Sequence, residues 1–270
     1  MLPVSIQDQE TTGQQHGVPV QREGAVSGRR LLLALGTWIA LSVAVGVVTM
    51  VILKSVARTW TATSGPAVLI VAEVYLALPV TFLLTFGGLP GLRDRLRFRY
   101  TSARDLLLAL GVWVVSLVAV ALVYVAFSPL LGPPQDVAIQ VLRSGTDMSR
   151  LSAADALTMG LIVVRVCLLA GLGEELLFRG ALYGWLRSRL SAVSTILLTS
   201  VIFAAIHIQF VPFSVHTTLL LLPLTMPFGI VAGWIRERTG STLNCFMLHI
   251  ATDTLMFVAA YILVAQHVVR

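Results

Sequence analysis

Residues 31–53 read LLLALGTWIALSVAVGVVTMVIL, an unbroken apolar run that directly follows Arg29 and Arg30. A helix needs about 20 apolar residues to cross a hydrocarbon core that is about 30 Å thick. The run is longer than the apolar part of a cleavable signal peptide, and further apolar runs follow it. We therefore interpret it as a signal-anchor that stays in the membrane as the first span.

Six more apolar runs are also long enough to span a membrane. They cover Pro66–Phe86, Leu106–Phe127, Ala156–Phe178, Val193–Val211, Thr217–Ile235 and Leu243–Ala265. The sequence shows no internal repeat and no alternating pattern of the kind that marks barrel strands, so we exclude a membrane β-barrel. The sequence predicts an all-α, polytopic integral membrane helical bundle with about seven transmembrane helices.

The composition supports a membrane protein and excludes several other classes. Apolar residues make up 57% of the 270-residue chain and charged residues 12%, against about 45–50% and about 25% in soluble domains. The chain therefore lacks the polar surface of a soluble globule, a disordered protein or a coiled coil. Cys167 and Cys245 both lie in apolar runs, so we expect buried free thiols rather than disulfides or a Cys-rich zinc site.

The positive charges lie between the apolar runs and predict the orientation. The net charge is +6, and basic residues cluster in 22–30, 93–104, 187–189 and 236–238. These clusters alternate with segments that hold few basic residues, which by the positive-inside rule gives a cytoplasmic N-terminus and an external C-terminus in the cell membrane. Since the charges set orientation, we do not expect nucleic-acid binding.

The chain divides into three parts on this reading. Residues 1–30 form a polar tail that we expect to be disordered and cytoplasmic. Residues 31–154 hold three spans and a long loop, 128–154, in which an interfacial amphipathic helix could form. Residues 155–270 hold the last four spans.

Ionisable side chains are concentrated in those last four spans. Each costs about 2.5–3.5 kcal/mol to insert and is by default a functional-site hypothesis. The last four spans hold Arg165, Glu174, Glu175, Arg179, His207, His249 and Asp253. The first three hold only Glu73, which could pair with Arg165 in a structural role. We therefore expect the chemistry in the C-terminal half.

The first motif is GEELLFRG at residues 173–180. Adjacent residues of a helix point about 100° apart, so Glu174 and Glu175 should serve different purposes. Glu175 and Arg179 stand at i, i+4 and can form an ion pair. That leaves Glu174 as a candidate general base or acid, the alternative being an ion network that only anchors the helix.

The second motif is Phe203-x-x-x-His207. Its i, i+4 spacing places the phenyl ring and the imidazole on one helix face. Taken alone, a histidine in an apolar helix is more often a hydrogen-bonded core residue than a catalyst.

The third motif is His249-x-x-x-Asp253. The same spacing lets the carboxylate orient the imidazole or act beside it. A carboxylate that fixes an imidazole is also a common partner of a metal-bound histidine.

Together, the three motifs supply what the activation of water requires, namely a base and groups that stabilise an oxyanion. With a metal, His207, His249 and Glu174 would resemble the two-His-one-Glu ligand set of zinc hydrolases. Without a metal, Glu174 and His207 could activate water together. The sequence leaves both routes open, so the cofactor is Zn²⁺, another divalent cation, or none.

The three motifs, in this order on separate spans, resemble those of the CPBP family of intramembrane proteases. This family is also called the CAAX protease and bacteriocin-processing, or Abi, family, and it includes the type II CAAX prenyl endopeptidases. The resemblance covers residues 155–260 closely and the earlier spans only by hydropathy. It implies that 155–270 is a catalytic membrane core and that the chain hydrolyses a peptide or protein substrate at the lipid bilayer.

The resemblance also implies a role for each motif residue. Glu174 and His207 would activate water, Glu175 and Arg179 would support them, Phe203 would pack the site, and His249 and Asp253 would stabilise the oxyanion. One position departs from the family pattern, since the prenyl endopeptidases usually carry Asn where this chain carries Asp253. An ionised Asp cannot donate a hydrogen bond to an oxyanion as Asn can, so Asp253 would orient His249, bind a cation, or act in its protonated form.

Two other functions remain as alternatives. A catalytically silent immunity or scaffold subunit would have no use for the full set of polar residues. An ion- or proton-coupled transporter would be favoured by broken helices in two related halves, and the sequence shows no such halves.

Overall fold

The computed structural model describes residues 26–56, 66–131, 160, 163–207 and 215–268. Its elements are all helical, with no strand among the described residues, which confirms the all-α prediction. In chain order they are α1 (Gly28–Val56), α2 (Pro66–Phe86), α3 (Gly88–Asp94), α4 (Ala103–Leu131), α5 (the consecutive segments Val164–Ala170, Gly171–Glu175, Leu176–Leu182 and Tyr183–Arg187), α6 (Ala192–His207), α7 (Val215–Thr239) and α8 (Thr242–Val268).

The described part of each predicted apolar run lies in one of the long helices. By length and composition, three helices in the described part of the chain can cross a membrane, over Gly28–Val48, Ala103–Leu122 and Thr242–Ala259. The number becomes four if α2 and α3 form one broken span. The chain is thus a helical membrane protein, and the count of seven spans stays a prediction.

The chain bends sharply between α2 and α3, where the two helix axes meet at 88°. Gly87 adopts a φ of 92°, a left-handed conformation that glycine reaches without strain. Pro90 falls in the first turn of α3, where its missing N–H removes no helical hydrogen bond. A Cβ on Gly91 would lie 1.8 Å from the carbonyl oxygen of Phe86, so only glycine fits there. The predicted break between helices occurs here. It is followed by the short helix α3, which the sequence did not predict.

Two clusters of buried apolar side chains hold the described helices together. The first joins α2 and its neighbours to α5 and includes Leu78, Phe82, Phe86, Leu96 and Leu176. The second joins α4, α7 and α8 and comprises Ala109, Ala232, Ile235, Cys245 and Leu248. Cys167 and Cys245 are both buried free thiols, as predicted.

Hydrogen bonds tie the segment after α3 to the start of α8. The Thr242 hydroxyl donates to the Leu96 carbonyl at 2.6 Å, and the Ser241 hydroxyl donates to the Arg99 carbonyl at 2.6 Å. These bonds satisfy loop carbonyls and fix the start of α8 against the N-terminal helices.

The first helix begins earlier than predicted. The Ser27 hydroxyl accepts a hydrogen bond from the Arg30 N–H at 3.3 Å, as an N-cap does, and α1 therefore starts at Gly28. The predictions for the tail before residue 26, for the long loop beyond residue 131 and for the Arg165 and Glu73 side chains lie outside the described residues.

Candidate active site

The helix α5 carries the first motif, and its hydrogen-bond pattern is unusual there. Gly171–Glu175 is α-helical but lies between two π-helical segments, Val164–Ala170 and Leu176–Leu182. A π-helix bonds i to i+5, which shifts the faces on which later side chains appear, and such segments are frequent at functional sites. Glu174 and Glu175 stand between the two segments, and Arg179 lies inside the second.

Glu175 accepts two hydrogen bonds at a single carboxylate oxygen. Arg179 Nη1 and His249 Nδ1 both lie 2.8 Å from Glu175 Oε1. The Glu175 side chain is 0% exposed and that of Arg179 is 1% exposed, which confirms the predicted ion pair. A buried charge that loses its partner costs about 3–5 kcal/mol, so this pair is a structural requirement of the site.

Arg179 is enclosed by aromatic rings and by a neighbouring backbone. Its guanidinium carbon lies 4.5 Å from the ring centroid of Phe203 and 5.4 Å from that of Phe228. Its Nη2 donates to the carbonyl of Gly229 at 3.4 Å. Arg236 Nε donates to the Arg179 carbonyl at 2.9 Å. The cation is thereby compensated by the glutamate, by π faces and by a backbone dipole.

His249 brings the two glutamates together. Its Nδ1 contacts Glu175, while its Nε2 lies 3.5 Å from Asp253 Oδ2 and 3.8 Å from Glu174 Oε2. The adjacent glutamates therefore share His249 as a partner, but each lies at a different nitrogen of its ring. The ring packs against the backbone of α5 at Gly171, where a Cβ would lie 3.4 Å from His249 Cγ, an ordinary van der Waals distance.

A backbone carbonyl determines which ring nitrogen of His207 carries a proton. Its Nδ1 lies 2.7 Å from the Phe203 carbonyl, and because a carbonyl can only accept, Nδ1 carries a proton and donates it. In the neutral ring, Nε2 is then the acceptor. Nε2 lies 3.9 Å from Glu174 Oε2, a separation too long for a direct hydrogen bond.

Phe203 packs among the side chains of the site. Its ring centroid lies 4.5 Å from that of His207, 5.2 Å from that of Phe178, 5.6 Å from that of Phe228 and 6.1 Å from that of His249. The structure therefore brings all seven predicted site residues together. We call the six ionisable ones the polar cluster: Glu174, Glu175, Arg179, His207, His249 and Asp253.

Several buried atoms of the polar cluster make no hydrogen bond within the described part of the chain. They are Glu174 Oε2, Glu175 Oε2 and Arg179 Nε. Such atoms are rare in folded proteins and are costly unless a function requires them. The side chains of Glu174, His207 and Asp253 are 14%, 20% and 22% exposed, so the polar cluster opens on their side.

The chemistry of the donors suits a divalent cation, whereas their spacing does not provide a ready site. Both Nε2 atoms face Glu174 and both Nδ1 atoms are held by oxygen acceptors, as in histidine ligands of zinc. Within the described ranges, however, no group of three or more His, Cys, Asp or Glu side chains is arranged to hold a metal ion.

Sequence reasoning missed three residues that support the polar cluster, namely Phe228, Gly229 and Arg236. All three come from α7, which contributed no motif. A Cβ on Gly229 would lie 3.0 Å from the Ser200 Cα, so a small residue is needed where α7 meets α6. The sequence did hold one signal of this role. Gly229 and Arg236 are seven residues apart and therefore lie on one face of α7.

Outside the predicted spans, a second set of polar contacts joins the ends of α5 and α7. Tyr183 donates to Glu237 Oε2 at 2.6 Å, and Arg187 Nε donates to the same oxygen at 3.1 Å. Burial raises the pKa of Glu237, but the hydrogen bonds from Arg187 and Tyr183 outweigh it and hold that pKa below its usual value. Burial, with the adjacent Glu237, raises the pKa of Tyr183.

The fold and the polar cluster together define a class of protein. It is a helical membrane protein whose apolar helices surround acid–base side chains. Residues 156–255 match the family model described as Type II CAAX prenyl endopeptidase Rce1-like. This match confirms the predicted resemblance of residues 156–255 to the CAAX protease family. No curated protein and no solved structure matches the chain.

Proposed function

We propose that this protein is an intramembrane endopeptidase that hydrolyses a peptide bond of a membrane-associated substrate. One observation carries the proposal: the Glu174 carboxylate oxygen Oε2 lies 3.9 Å from His207 Nε2 and 3.8 Å from His249 Nε2. A partly exposed carboxylate between two imidazoles is an arrangement suited to general base catalysis. The match of residues 156–255 to the model of a protease family supports it.

In the first step, Glu174 takes a proton from a water molecule. A water held between Glu174 Oε2 and His207 Nε2 can bridge them, because their 3.9 Å separation suits two hydrogen bonds to one oxygen. The oxygen of that water attacks the carbonyl carbon of the scissile peptide bond as its proton moves to Glu174. The carbonyl π electrons move to the oxygen, which becomes an oxyanion.

In the second step, the intermediate collapses and the peptide bond breaks. His249, in its charged form, donates from Nε2 to the oxyanion, while Glu175 holds the ring at Nδ1. The Asp253 carboxylate, 3.5 Å from Nε2, orients the charged ring by electrostatic attraction and does not take the N–H. The C=O bond re-forms, the C–N bond breaks, and the proton on Glu174 passes to the leaving amine. The products are a new carboxyl terminus and a new amino terminus.

A divalent cation such as Zn²⁺, where one is used, would be held by His207, His249 and Glu174. It would act as a Lewis acid on the water or on the substrate carbonyl. The two steps above describe the side chains without a cation, because the His249 Nε2 that donates to the oxyanion there would instead be a ligand of the cation.

The proposal includes the full topology. Seven spans place the N-terminus in the cytoplasm and the C-terminus outside, which follows from the alternation of arginine-rich and arginine-poor segments. The arginine-rich ends of α5 and α7 then lie on the cytoplasmic side of the cell membrane.

The test is cleavage of a quenched fluorescent peptide library by the purified full-length protein in liposomes. We expect Glu174→Gln to lower the rate by about 10²–10⁴-fold, the usual contribution of a general base. Asp94→Asn is the matched control, since Asp94 is an exposed carboxylate far along the chain from the polar cluster. Equal rates for wild type and Glu174→Gln would contradict the proposal, and a chelator added to each protein tests the metal.

A further inference from the structure

A cavity of about 840 Å³ lies between α2, α3, the segment after α3, and α5. Its size falls in the range of about 300–1,000 Å³ typical of ligand pockets. Apolar side chains form its wall, among them Pro79, Leu83, Leu92, Leu172 and Leu176. Arg93, Arg99 and Tyr100 also line it, so the lining is mostly apolar and includes two guanidinium groups.

The cavity and the polar cluster lie on different faces of α5. Leu172 and Leu176 stand at i, i+4 and share the face that lines the cavity. Glu174 follows Leu172 by two residues, which turns it about 200° around the helix. A ligand bound in the cavity would therefore not touch Glu174. Any function of the cavity is thus separate from the proposed catalysis.

The two arginines of the cavity make few polar interactions with the described part of the chain. The Arg93 side chain is 75% exposed, and its ion partner Asp94 lies 4.0 Å away and is 71% exposed, a pair worth little in water. Arg99 is exposed, and its guanidinium makes no hydrogen bond or ion pair within the described part of the chain. Two available guanidinium groups beside an apolar cavity match an anionic head group that continues into a hydrocarbon chain.

We propose that this cavity binds an anionic phospholipid, with an acyl chain along the apolar wall and the phosphate at Arg93 and Arg99. Guanidinium groups bind phosphate oxygens through paired, charge-assisted hydrogen bonds. Basic pockets between membrane helices on the cytoplasmic side take anionic head groups, and Arg93 and Arg99 belong to an arginine-rich segment predicted to lie there. Leu89, which also lines the cavity, is 73% exposed and adds exposed apolar surface to its wall.

The test measures the thermal stability of the full-length protein in a neutral detergent. The probes are dioctanoyl phosphatidylglycerol, dioctanoyl phosphatidylcholine and inorganic phosphate. A ligand of the folded state stabilises it in a saturable manner, so phosphatidylglycerol should raise Tm to a plateau. Phosphatidylcholine should raise it clearly less, and phosphate should leave it unchanged.

Two kinds of variant locate the effect. Arg93→Ala/Arg99→Ala should lose most of the phosphatidylglycerol response, whereas the control Arg30→Ala/Arg238→Ala, which removes the same charge elsewhere, should keep it. Leu83→Trp, which fills the cavity and keeps both arginines, should also lose the response. Equal shifts with both lipids, a phosphate shift as large as that of phosphatidylglycerol, or an unchanged response in both test variants would overturn the proposal.

Discussion

His249 and His207 differ in what holds their rings. His249 Nδ1 is bound by the Glu175 carboxylate, whereas His207 Nδ1 is bound by the backbone carbonyl of Phe203. In both cases the held nitrogen leaves Nε2 directed toward Glu174. Glu175 is therefore a positioning residue for His249, and its removal should act on stability and on ring orientation.

Loss of Glu175 alone should be more damaging than loss of the whole ion pair. Glu175→Leu leaves Arg179 as a buried cation without its carboxylate and should lower the free energy of unfolding by about 3–5 kcal/mol. Glu175→Leu/Arg179→Met removes both charges and should recover a large part of that loss. Denaturation of the purified proteins in mixed micelles measures both values. A double variant less stable than the single one would contradict this reading.

Asp253 can be tested at the position where the chain departs from the family pattern. Its Oδ2 lies 3.5 Å from His249 Nε2, so we propose that it orients the ring. Asp253→Asn keeps an oxygen acceptor there and should keep kcat within about tenfold, or roughly 1.4 kcal/mol. Asp253→Ala should lower kcat further. Peptide cleavage rates of the two variants separate these outcomes, and equal losses would argue against an orienting role.

At the scale of elements, α5 and α7 determine the geometry of the polar cluster. The π-helical segments of α5 set the faces of its charged residues, and the Gly229 carbonyl of α7 accepts from Arg179. The close approach of α7 to α6 depends on Gly229, because a Cβ there would lie 3.0 Å from both Cα and Cβ of Ser200, which a change of rotamer cannot move away.

Gly229→Ala should therefore destabilise the protein by about 1–3 kcal/mol, the usual cost of overpacking, and reduce activity by moving the Arg179 acceptor. Gly111→Ala is the matched control, since a Cβ at Gly111 meets nothing within 4 Å. Alanine also suits a helix interior better than glycine, so the control should be neutral or slightly stabilising. Thermal denaturation measures the stability of both variants. Equal stabilities of Gly229→Ala and Gly111→Ala would show that the contact with α6 is unimportant.

The contacts between the ends of α5 and α7 should make stability depend on pH. Because the folded-state pKa of Glu237 is depressed, its contribution is present above the unfolded pKa of about 4.3 and is lost as pH falls through the folded value. Wild type should exceed Glu237→Gln in Tm by the most near pH 7, and the gap should narrow below about pH 4. A gap that widens toward acid pH would contradict the assignment.

The sequence predicted the elements and the local pairs, but not the contacts between helices. The apolar runs located the long helices, and the i, i+4 spacing predicted the Glu175–Arg179 pair. The contact between Glu175 and His249 joins residues 74 positions apart, so no local periodicity reveals it. The π-helical segments also escaped prediction, because they depend on which backbone hydrogen bonds form rather than on apolar spacing.

At the scale of the whole molecule, the described part of the chain combines apolar helices with a polar cluster that is open on the side of Glu174, His207 and Asp253. Three helices meet the criteria for membrane spans by themselves, and α2 with α3 could form a fourth. Many of their apolar side chains are exposed, including Val43, Val118 and Leu122, as expected of surfaces that face lipid. The number and direction of the spans are open to direct measurement.

The proposed topology predicts where the C-terminus lies. Alkaline phosphatase fused after Arg270 should be active in a bacterial host, because the enzyme folds only outside the cytoplasm. The same enzyme fused after Arg238, between α7 and α8, should be inactive, since this arginine-rich segment is proposed to be cytoplasmic. The reverse pattern, or activity of both fusions, would require a different number or direction of spans.

The central claim is that Glu174 enables this protein to cut proteins at the membrane. It is tested most directly by comparing the protein termini in membranes that contain either wild type or Glu174→Gln at equal abundance, using mass spectrometry of enriched termini. We predict new amino and carboxyl termini, paired at single cleavage sites of membrane-associated proteins, with wild type only. The same set of termini with both proteins would contradict the assignment of Glu174 as the base.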